Sequence, residues 1–209
     1  MCIRDSYGLA LEADDAQLTG VSVRVDGGNN SQVTGLFSRG ANLLAQDVQI
    51  EAVNPSSTTS CRGIYTIESP SAKLRDVFAE SDGWAMVLDN PGTTLEMDDC
   101  VAIGGELPGI MIRTIASAPA GNHHAHLRNV RAIGGTFGIS VSQMSQPLYV
   151  TFEGGYLHGP LAPAKVIDAS LNIASTQIKS GGVVTDGSGT ATCSFVWDGQ
   201  FNAFVDTCP

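Results

Sequence analysis

The chain has 209 residues, which is enough for one domain with its own hydrophobic core. It carries 11 lysines and arginines against 21 aspartates and glutamates, a formal net charge of −10. This balance excludes a basic surface of the kind that binds nucleic acid or anionic membranes. No apolar run in the sequence approaches the roughly 18 residues of a membrane-spanning helix, so no membrane span is expected.

The first hexapeptide, Met-Cys-Ile-Arg-Asp-Ser, resembles a translated sequencing-adapter remnant on a metagenomic reading frame. We therefore expect residues 1–6 to be an artefact and the true N-terminus to be missing, so that the lack of a signal peptide carries no information on localisation. The rest of the chain divides into a repetitive region, residues 7–189, and a C-terminal segment of different composition, residues 190–209.

A six-residue motif recurs along the repetitive region with the pattern apolar, polar, turn-forming, apolar, variable, apolar. Its turn position holds Gly, Asp or Asn, which adopt left-handed backbone more readily than other residues. The motif therefore predicts a sharp corner between two strands. Its anchors, the apolar residues after the turn, are spaced 27, 29, 23 and 30 residues apart; they are Val21, Val48, Val77, Cys100 and Val130.

A second motif, a glycine followed by residues that alternate between two faces, lies between the corners. Alternation with period two in short runs indicates strands half buried against a core. Residues 53–62 and 113–125 are predicted to be inserted loops, and beyond residue 145 the repeat weakens. One coil cannot bury its inner face alone, so the repeats predict stacked coils that share a core. The glycine strands begin at Gly8, Gly35, Gly63, Gly83, Gly109 and Gly138.

These Leu–x–Asn–Val corners and Gly–Ile–x–Val strands, over roughly residues 8–185, resemble those of the pectin-lyase-like superfamily. The resemblance implies an all-β fold, a right-handed parallel β-helix or β-solenoid, of exported bacterial type. The alternative is a β-sandwich or jelly roll, which the scarcity of Asn-Gly and Asp-Gly turns at strand spacing disfavours. The resemblance is specific for fold and not for function, because such folds host several chemistries.

The C-terminal segment places Cys193 and Cys208 on either side of an aromatic-rich, hairpin-like stretch. A disulfide between them would stabilise the fold by about 3 kcal/mol on chain-entropy grounds, and it predicts a secreted or cell-surface protein. We expect this segment to cap the open end of the solenoid. A mobile tail with reduced thiols is the alternative. Cys100, at an inward anchor position, is predicted to be a buried free thiol.

Acidic residues recur at the predicted corners, where Asp47, Asp76 and Asp99 form one column. Stacked carboxylates suit a hard cation such as Ca²⁺, although corner geometry alone explains these residue types. The preceding positions alternate in sign and predict a surface ion-pair ladder that includes Asp98 and Arg128.

Asp98, Asp99 and Arg128 are also the candidates for catalysis, with Arg113 and Arg131 conceivable as bases. The resemblance does not support transferring glycosidase roles to them. Polygalacturonase-like enzymes carry Asn-Thr-Asp, Asp-Asp, Gly-His-Gly and Arg-Ile-Lys blocks, and this chain has Asp-Asp pairs but Leu157-His158-Gly159 in place of Gly-His-Gly.

Two further groups are candidates for ligand binding. His124 and His126 would point the same way on a strand and suit Zn²⁺ or Cu²⁺, but no third ligand is evident and a polar loop explains them as well. Phe37 and Tyr65 are predicted to be outward neighbours on adjacent coils, where they could stack on sugar rings or lie under a loop. The aligned outward positions are Phe37, Tyr65, Ala85, Met111 and Ser140.

The sequence thus favours a non-catalytic extracellular solenoid that serves either carbohydrate binding or surface attachment, with a polysaccharide or cell-surface glycan as the expected partner and no cofactor. The alternative is a fragment of a polysaccharide lyase or glycoside hydrolase that acts on acidic polysaccharide. The net acidity disfavours anionic substrates unless Ca²⁺ bridges them. The ligand and the oligomeric state stay open.

Overall fold

The computed structural model describes residues 6–12, 14–28, 32–40, 42–92, 94–179, 181–198, 203–204 and 208. Of the expected N-terminal artefact, residues 1–5 lie outside the described residues, as do residues 199–202 and 205–207 between Cys193 and Cys208. The described residues form an all-β parallel solenoid of about seven turns and contain no α-helix. The fold class predicted from the corners and the glycine strands is confirmed.

Within the described residues, twenty strands and one short 3-10 helix make up the solenoid. They are β1 (Ser6–Leu11), β2 (Asp15–Thr19), β3 (Ser22–Asp26), β4 (Val33–Arg39), β5 (Asn42–Val53), the 3-10 helix η1 (Thr58–Ser60), β6 (Cys61–Ile67), β7 (Ser71–Ser81), β8 (Trp84–Asp89), β9 (Thr94–Asp98), β10 (Val101–Gly104), β11 (Ile110–Thr114), β12 (His123–Ile133), β13 (Phe137–Gln143), β14 (Leu148–His158), β15 (Ala162–Ile167), β16 (Ser170–Lys179), β17 (Val184–Asp186), β18 (Thr190–Ser194), β19 (Val196–Trp197) and β20 (Ala203–Phe204).

The strands form two sheets, and equivalent residues of successive coils lie side by side. Sheet A has eight parallel strands in the order β1-β4-β6-β8-β11-β13-β15-β17. Sheet B has twelve strands, of which β2-β5-β7-β10-β12-β14-β16-β19-β20 form the main path. The final pair, β19 and β20, is antiparallel. Apolar side chains of both sheets meet in one continuous core between them.

The predicted corner is a column of left-handed residues that bends sheet B. Four of its members are Asp47, Asp76, Asp99 and Asn129, with φ of 53°, 50°, 54° and 52°. The anchors that follow them point inward, and from Val48 to Val130 each is at most 1% exposed. Val21, in the first described corner, is half-buried. The residue types at the turn position therefore marked the corner correctly.

The corner column continues beyond residue 145, where the sequence repeat weakens. Gly154, Ser175 and Phe195 have φ of 59°, 48° and 53° and continue the register of Asn129 on successive coils. Phe195 is 79% exposed and replaces the usual turn-forming residue. The coils therefore persist through residue types that the motif did not include.

A second left-handed column, which the sequence did not reveal, lies at the corner between sheet A and sheet B, and it is interrupted on two coils at Thr114 and Gln143. Its members are of mixed type, so no single residue class marks the position. They are Gly40, Glu68, Asn90, Asp168 and Gly187, with φ of 67°, 56°, 51°, 52° and 60°.

The glycine strands have a packing reason, because sheet A and sheet B approach closely at these positions. A Cβ on Gly35 would clash with Ile50 Cγ2 on the opposite sheet. One predicted register is wrong, however. Tyr65 lies opposite Val87, not in line with Ala85, and Ala85 is fully buried. Gly83 lies in the bend before β8, two residues short of the strand position that Gly63 occupies.

Candidate functional site

Three aromatic rings lie next to one another on the outer face of sheet A, and we call them the aromatic ladder: Tyr7, Phe37 and Tyr65. The ring centroids of Tyr7 and Phe37 are 5.1 Å apart, and those of Phe37 and Tyr65 are 5.6 Å apart. Phe37 and Tyr65 are direct partners on adjacent strands, as the sequence predicted. Tyr7 is 45% exposed, and the other two rings are half-buried.

A cation lies beside the aromatic ladder. The guanidinium carbon of Arg62 is 4.9 Å from the centroid of Tyr65 and 5.6 Å from that of Trp84. Arg62 and Trp84 are partners on adjacent strands, so the register of β6 and β8 creates this contact. Contacts of this kind are electrostatically favourable and limit the motion of the rings. No sequence motif indicated Tyr7, Arg62 or Trp84 as part of this surface.

A buried carboxylate lies beside the ladder on the outer face of sheet A. The side chain of Asp89 is 0% exposed and accepts two hydrogen bonds from Arg113, from Nε at 2.6 Å and from Nη2 at 3.0 Å. The hydroxyl of Tyr65 donates a third hydrogen bond to Asp89 Oδ2 at 3.0 Å. A buried carboxylate needs such charged and hydrogen-bonded partners to remain ionised.

The network raises the pKa values of Tyr65 and Arg113. Burial and the Asp89 carboxylate raise the pKa of Tyr65 to about 12. The hydrogen bond to Asp89 raises the pKa of Arg113, whose guanidinium therefore stays protonated. Each group therefore holds its proton more tightly than usual, which makes it a weaker general base near neutral pH.

The Asp89–Arg113 pair was missed because of the register error at Gly83. Asp89 lies opposite Ile67 on one side and Arg113 on the other. The predicted alignment placed Val87 at that position and moved Asp89 out of line with Arg113. Aligning the coil on Met86 instead of Gly83 would have placed Asp89 and Arg113, which carry opposite charges, in line on adjacent coils.

The predicted ion-pair ladder lies on the outer face of sheet B. Arg128 donates from Nε to Asp98 Oδ1 at 2.6 Å and from Nη2 to Asp98 Oδ2 at 3.1 Å. Arg75 lies on the other side, with its Nε 3.8 Å from Asp98 Oδ2. The hydrogen bond to Asp98 raises the pKa of Arg128. A catalytic role for Asp98 or Arg128 stays a prediction, and two arginine partners already account for the position of Asp98.

Asp99 and the two candidate histidines have structural partners as well. Asp99 is in the left-handed corner and accepts a hydrogen bond from Asn129 Nδ2 at 3.2 Å. His124 stacks on Tyr149 with centroids 5.2 Å apart, and His126 lies between Glu96 and Thr151. Among the described residues, no three His, Cys, Asp or Glu side chains are grouped to hold a metal ion. A Zn²⁺, Cu²⁺ or Ca²⁺ site stays a prediction.

The predicted disulfide is confirmed. Cys193 and Cys208 are joined, with their Cα atoms 5.0 Å apart, and Cys193 lies in β18, which pairs in parallel with β16. Cys100 is a buried free thiol, as predicted, and burial raises its pKa to about 12. Cys61 is also buried and free, and burial raises its pKa.

Comparison of the chain with protein-family models, with curated proteins and with solved structures finds no match in any of the three. The resemblance to the pectin-lyase-like superfamily therefore rests on the corner and strand motifs alone. Searching the described part of the chain for a helix of sufficient length and apolarity to cross a membrane finds none.

Proposed function

We propose that this protein is a non-catalytic extracellular β-solenoid that binds a polysaccharide or cell-surface glycan on the outer face of sheet A. The aromatic ladder is the observation that carries the proposal. Sugar rings present apolar C–H faces, and exposed aromatic rings on a flat sheet offer a matching surface. A run of three rings favours an extended chain of sugars over a single small ligand.

The direction of the ladder sets the orientation of the glycan. Successive coils of a parallel solenoid are separated by about 4.8 Å, and the ladder centroids are 5.1 and 5.6 Å apart. A polysaccharide would therefore run along the solenoid axis, with consecutive sugars above consecutive coils. Arg62 lies beside this track and would supply hydrogen bonds to sugar hydroxyls.

The chemistry of the residues beside the ladder supports binding without catalysis. Hydrolysis needs two carboxylates around a scissile bond, one of them able to donate a proton. Asp89 is fully buried and holds three hydrogen bonds. Lyase chemistry needs a base, and the raised pKa values of Arg113 and Tyr65 keep both groups protonated.

The disulfide supports an extracellular location. Disulfides persist in oxidising compartments and are rare in the cytosol. The bond joins Cys193, in β18 of sheet B, to Cys208. The two free thiols among the described residues, Cys61 and Cys100, are buried, and raised pKa values make them poor partners for exchange.

Binding to a panel of neutral and acidic polysaccharides by affinity electrophoresis tests the proposal. Removing a ladder ring by Phe37→Ala should weaken binding of the preferred polymer by about three- to tenfold, since one ring stack is lost. Tyr149→Ala is the matched control, because Tyr149 is a 43% exposed ring on sheet B. Equal binding by Phe37→Ala and the wild type would contradict the proposal.

The enzymatic alternative has its own test on the same panel. Unsaturated products are followed by ultraviolet absorbance, and new reducing ends are followed by a colorimetric assay, with and without Ca²⁺. We expect neither signal from the wild type. Turnover that disappears in Asp98→Asn or Asp99→Asn would overturn the non-catalytic proposal and establish a lyase or hydrolase.

A further inference from the structure

The corner column divides the outer surface of sheet B into two parts, and we call the part that follows the corner the distal face. The ion-pair ladder lies on the other part, before the corner. On the distal face, the parallel register places equivalent outward side chains next to one another in two columns. The first column is Gln49, Phe78, Val101, Arg131, Tyr156 and Gln177.

The second column changes character along the solenoid axis, from acidic in the early coils through apolar to cationic. Its members are Glu51, Glu80, Ile103, Ile133, His158 and Lys179. Arg131 in the first column adds a positive charge to the later half of the face, and its guanidinium carbon is 5.2 Å from the ring centroid of Tyr156. The two halves of the distal face therefore carry opposite charge.

The acidic half carries two carboxylates side by side. Glu51 and Glu80 are direct partners on β5 and β7, and like charges in such positions repel. Arg24 Nη1 lies 2.6 Å from both carboxylate oxygens of Glu51, whereas Glu80 is exposed. These residues border a depression of about 150 Å³, which Gln49 and Phe78 also line. A further cation placed there would reduce the repulsion between the two carboxylates.

The middle of the distal face is apolar. Val101, Ile103 and Ile133 point outward and are half-buried by their neighbours. Phe78 and Tyr156 extend this surface by one coil on either side. An apolar centre with charged ends is the usual composition of a protein–protein interface.

The order of residues on the distal face is complementary to the same order reversed. A two-fold axis along the strand direction, between β10 and β12, would lay the face on that of a second copy with the solenoid axes antiparallel. Three pairs then match in size or in opposite charge: Ile103 with Ile133, Phe78 with Tyr156, and Glu51 with Lys179. Arg131 would lie one coil from Glu80 of the second copy.

The charges disfavour the other two-fold arrangement. An axis parallel to the solenoid would set each coil against its own copy, so that Glu80 would face Glu80 and Lys179 would face Lys179. Like-charge contacts of this kind oppose association. The antiparallel arrangement instead directs Lys179 toward the acidic depression of the second copy.

We propose that the distal face joins two copies of this chain into an antiparallel homodimer. The six strands that carry the two columns extend over about 25 Å at a spacing of about 4.8 Å. A face of this length is smaller than the roughly 800 Å² per partner of a standard interface, so the dimer is reversible with a micromolar dissociation constant. The aromatic ladder lies on sheet A and takes no part, so the inference is independent of glycan binding.

Sedimentation velocity of the full chain over a concentration series tests the proposal. The wild type should pass from monomer to dimer between about 1 and 200 µM. Ile103→Glu places a carboxylate against Ile133 of the second copy and should weaken dimerisation by about tenfold or more. Phe37→Ala, which alters the aromatic ladder, should dimerise as the wild type does.

Charge reversal tests the antiparallel register itself. Lys179→Glu and Glu51→Lys should each weaken dimerisation by about tenfold, since each sets like charges against one another at two places. An equimolar mixture of the two variants should recover the wild-type affinity, because each copy supplies the charge that the other has lost. Lys73→Glu is the matched control, since Lys73 lies before the corner, 3.2 Å from Glu96, and should leave dimerisation unchanged.

Three results would overturn the proposal. They are a wild type that stays monomeric up to about 200 µM, charge-reversal variants that dimerise as well as the wild type, and a mixture that does not recover the lost affinity. A persistent monomer would assign the distal face to a different partner. The wild-type series involves no substitution, so it decides the proposal even where a variant folds poorly.

Discussion

The outer faces of the two sheets carry the same ion pair in two different environments. On sheet A, Arg113 holds Asp89 with two hydrogen bonds of 2.6 and 3.0 Å. On sheet B, Arg128 holds Asp98 with two of 2.6 and 3.1 Å. The carboxylate side chain is 0% exposed in the first pair and 19% exposed in the second.

Neighbouring side chains account for the difference. Asp89 also binds the hydroxyl of Tyr65, a bulky ring in the adjacent coil, whereas Asp98 lies between two arginines that both reach solvent. A buried pair is strongly destabilising to break, because a lone charge remains in a poorly solvated site. An exposed pair contributes little. Sheet A therefore offers a rigid aromatic and polar surface, while the ion-pair ladder of sheet B offers a hydrated, charged one.

Breaking the buried pair should have the largest effect. Arg113→Ala leaves Asp89 without its cation, and we expect a loss of about 3 kcal/mol in the free energy of unfolding. Denaturant titration followed by circular dichroism measures the loss. The double variant Asp89→Leu, Arg113→Met removes both charges and should recover most of it. If Arg113→Ala lowers the free energy of unfolding by less than the loss of an exposed ion pair does, the contrast between the two sheets is contradicted.

Removing the hydroxyl of Tyr65 should have an intermediate effect. Tyr65→Phe deletes one of the three hydrogen bonds to Asp89, for an expected loss of about 1 kcal/mol at neutral pH.

The alkaline stability of the protein should also depend on Tyr65. Its pKa is raised to about 12 in the folded state, against about 10 in an unfolded chain. A raised folded-state pKa means that this contribution is complete below about pH 10 and is lost as the pH rises toward 12. Across this pH range, the free energy of unfolding should fall less steeply for Tyr65→Phe than for the wild type. Identical slopes for the two proteins would argue against the raised pKa.

Breaking the exposed pair should have the smallest effect. Arg128→Ala leaves Asp98 with Arg75 and with solvent, so we expect a smaller change in unfolding free energy than for Tyr65→Phe. High salt should reduce that change further, because screening acts on exposed charges. Measuring Arg113→Ala and Arg128→Ala in low and high salt separates the two faces. Equal salt sensitivity would remove the distinction between them.

The sequence by itself determined the solenoid, its corner column and its disulfide. A left-handed backbone is a local requirement, and Asp47, Asp76, Asp99 and Asn129 meet it through their own side chains. The inward anchors and the alternating strands are likewise local patterns, and they repeat because each coil must bury one face. The aromatic pair Phe37 and Tyr65 followed from the same alignment.

Only the tertiary structure decided which outward side chains are buried and which of them contact one another. Coil length varies, so the lateral register of each coil depends on how its loops pack, and one misplaced glycine hid the contact of Asp89 with Arg113. A surface cavity of about 170 Å³ is likewise lined by segments that are far apart along the chain: the corners after β6 and β8, and the loop between β11 and β12. Sequence patterns reflect the backbone conformation that each residue favours. Burial and side-chain contacts depend instead on neighbours from other coils.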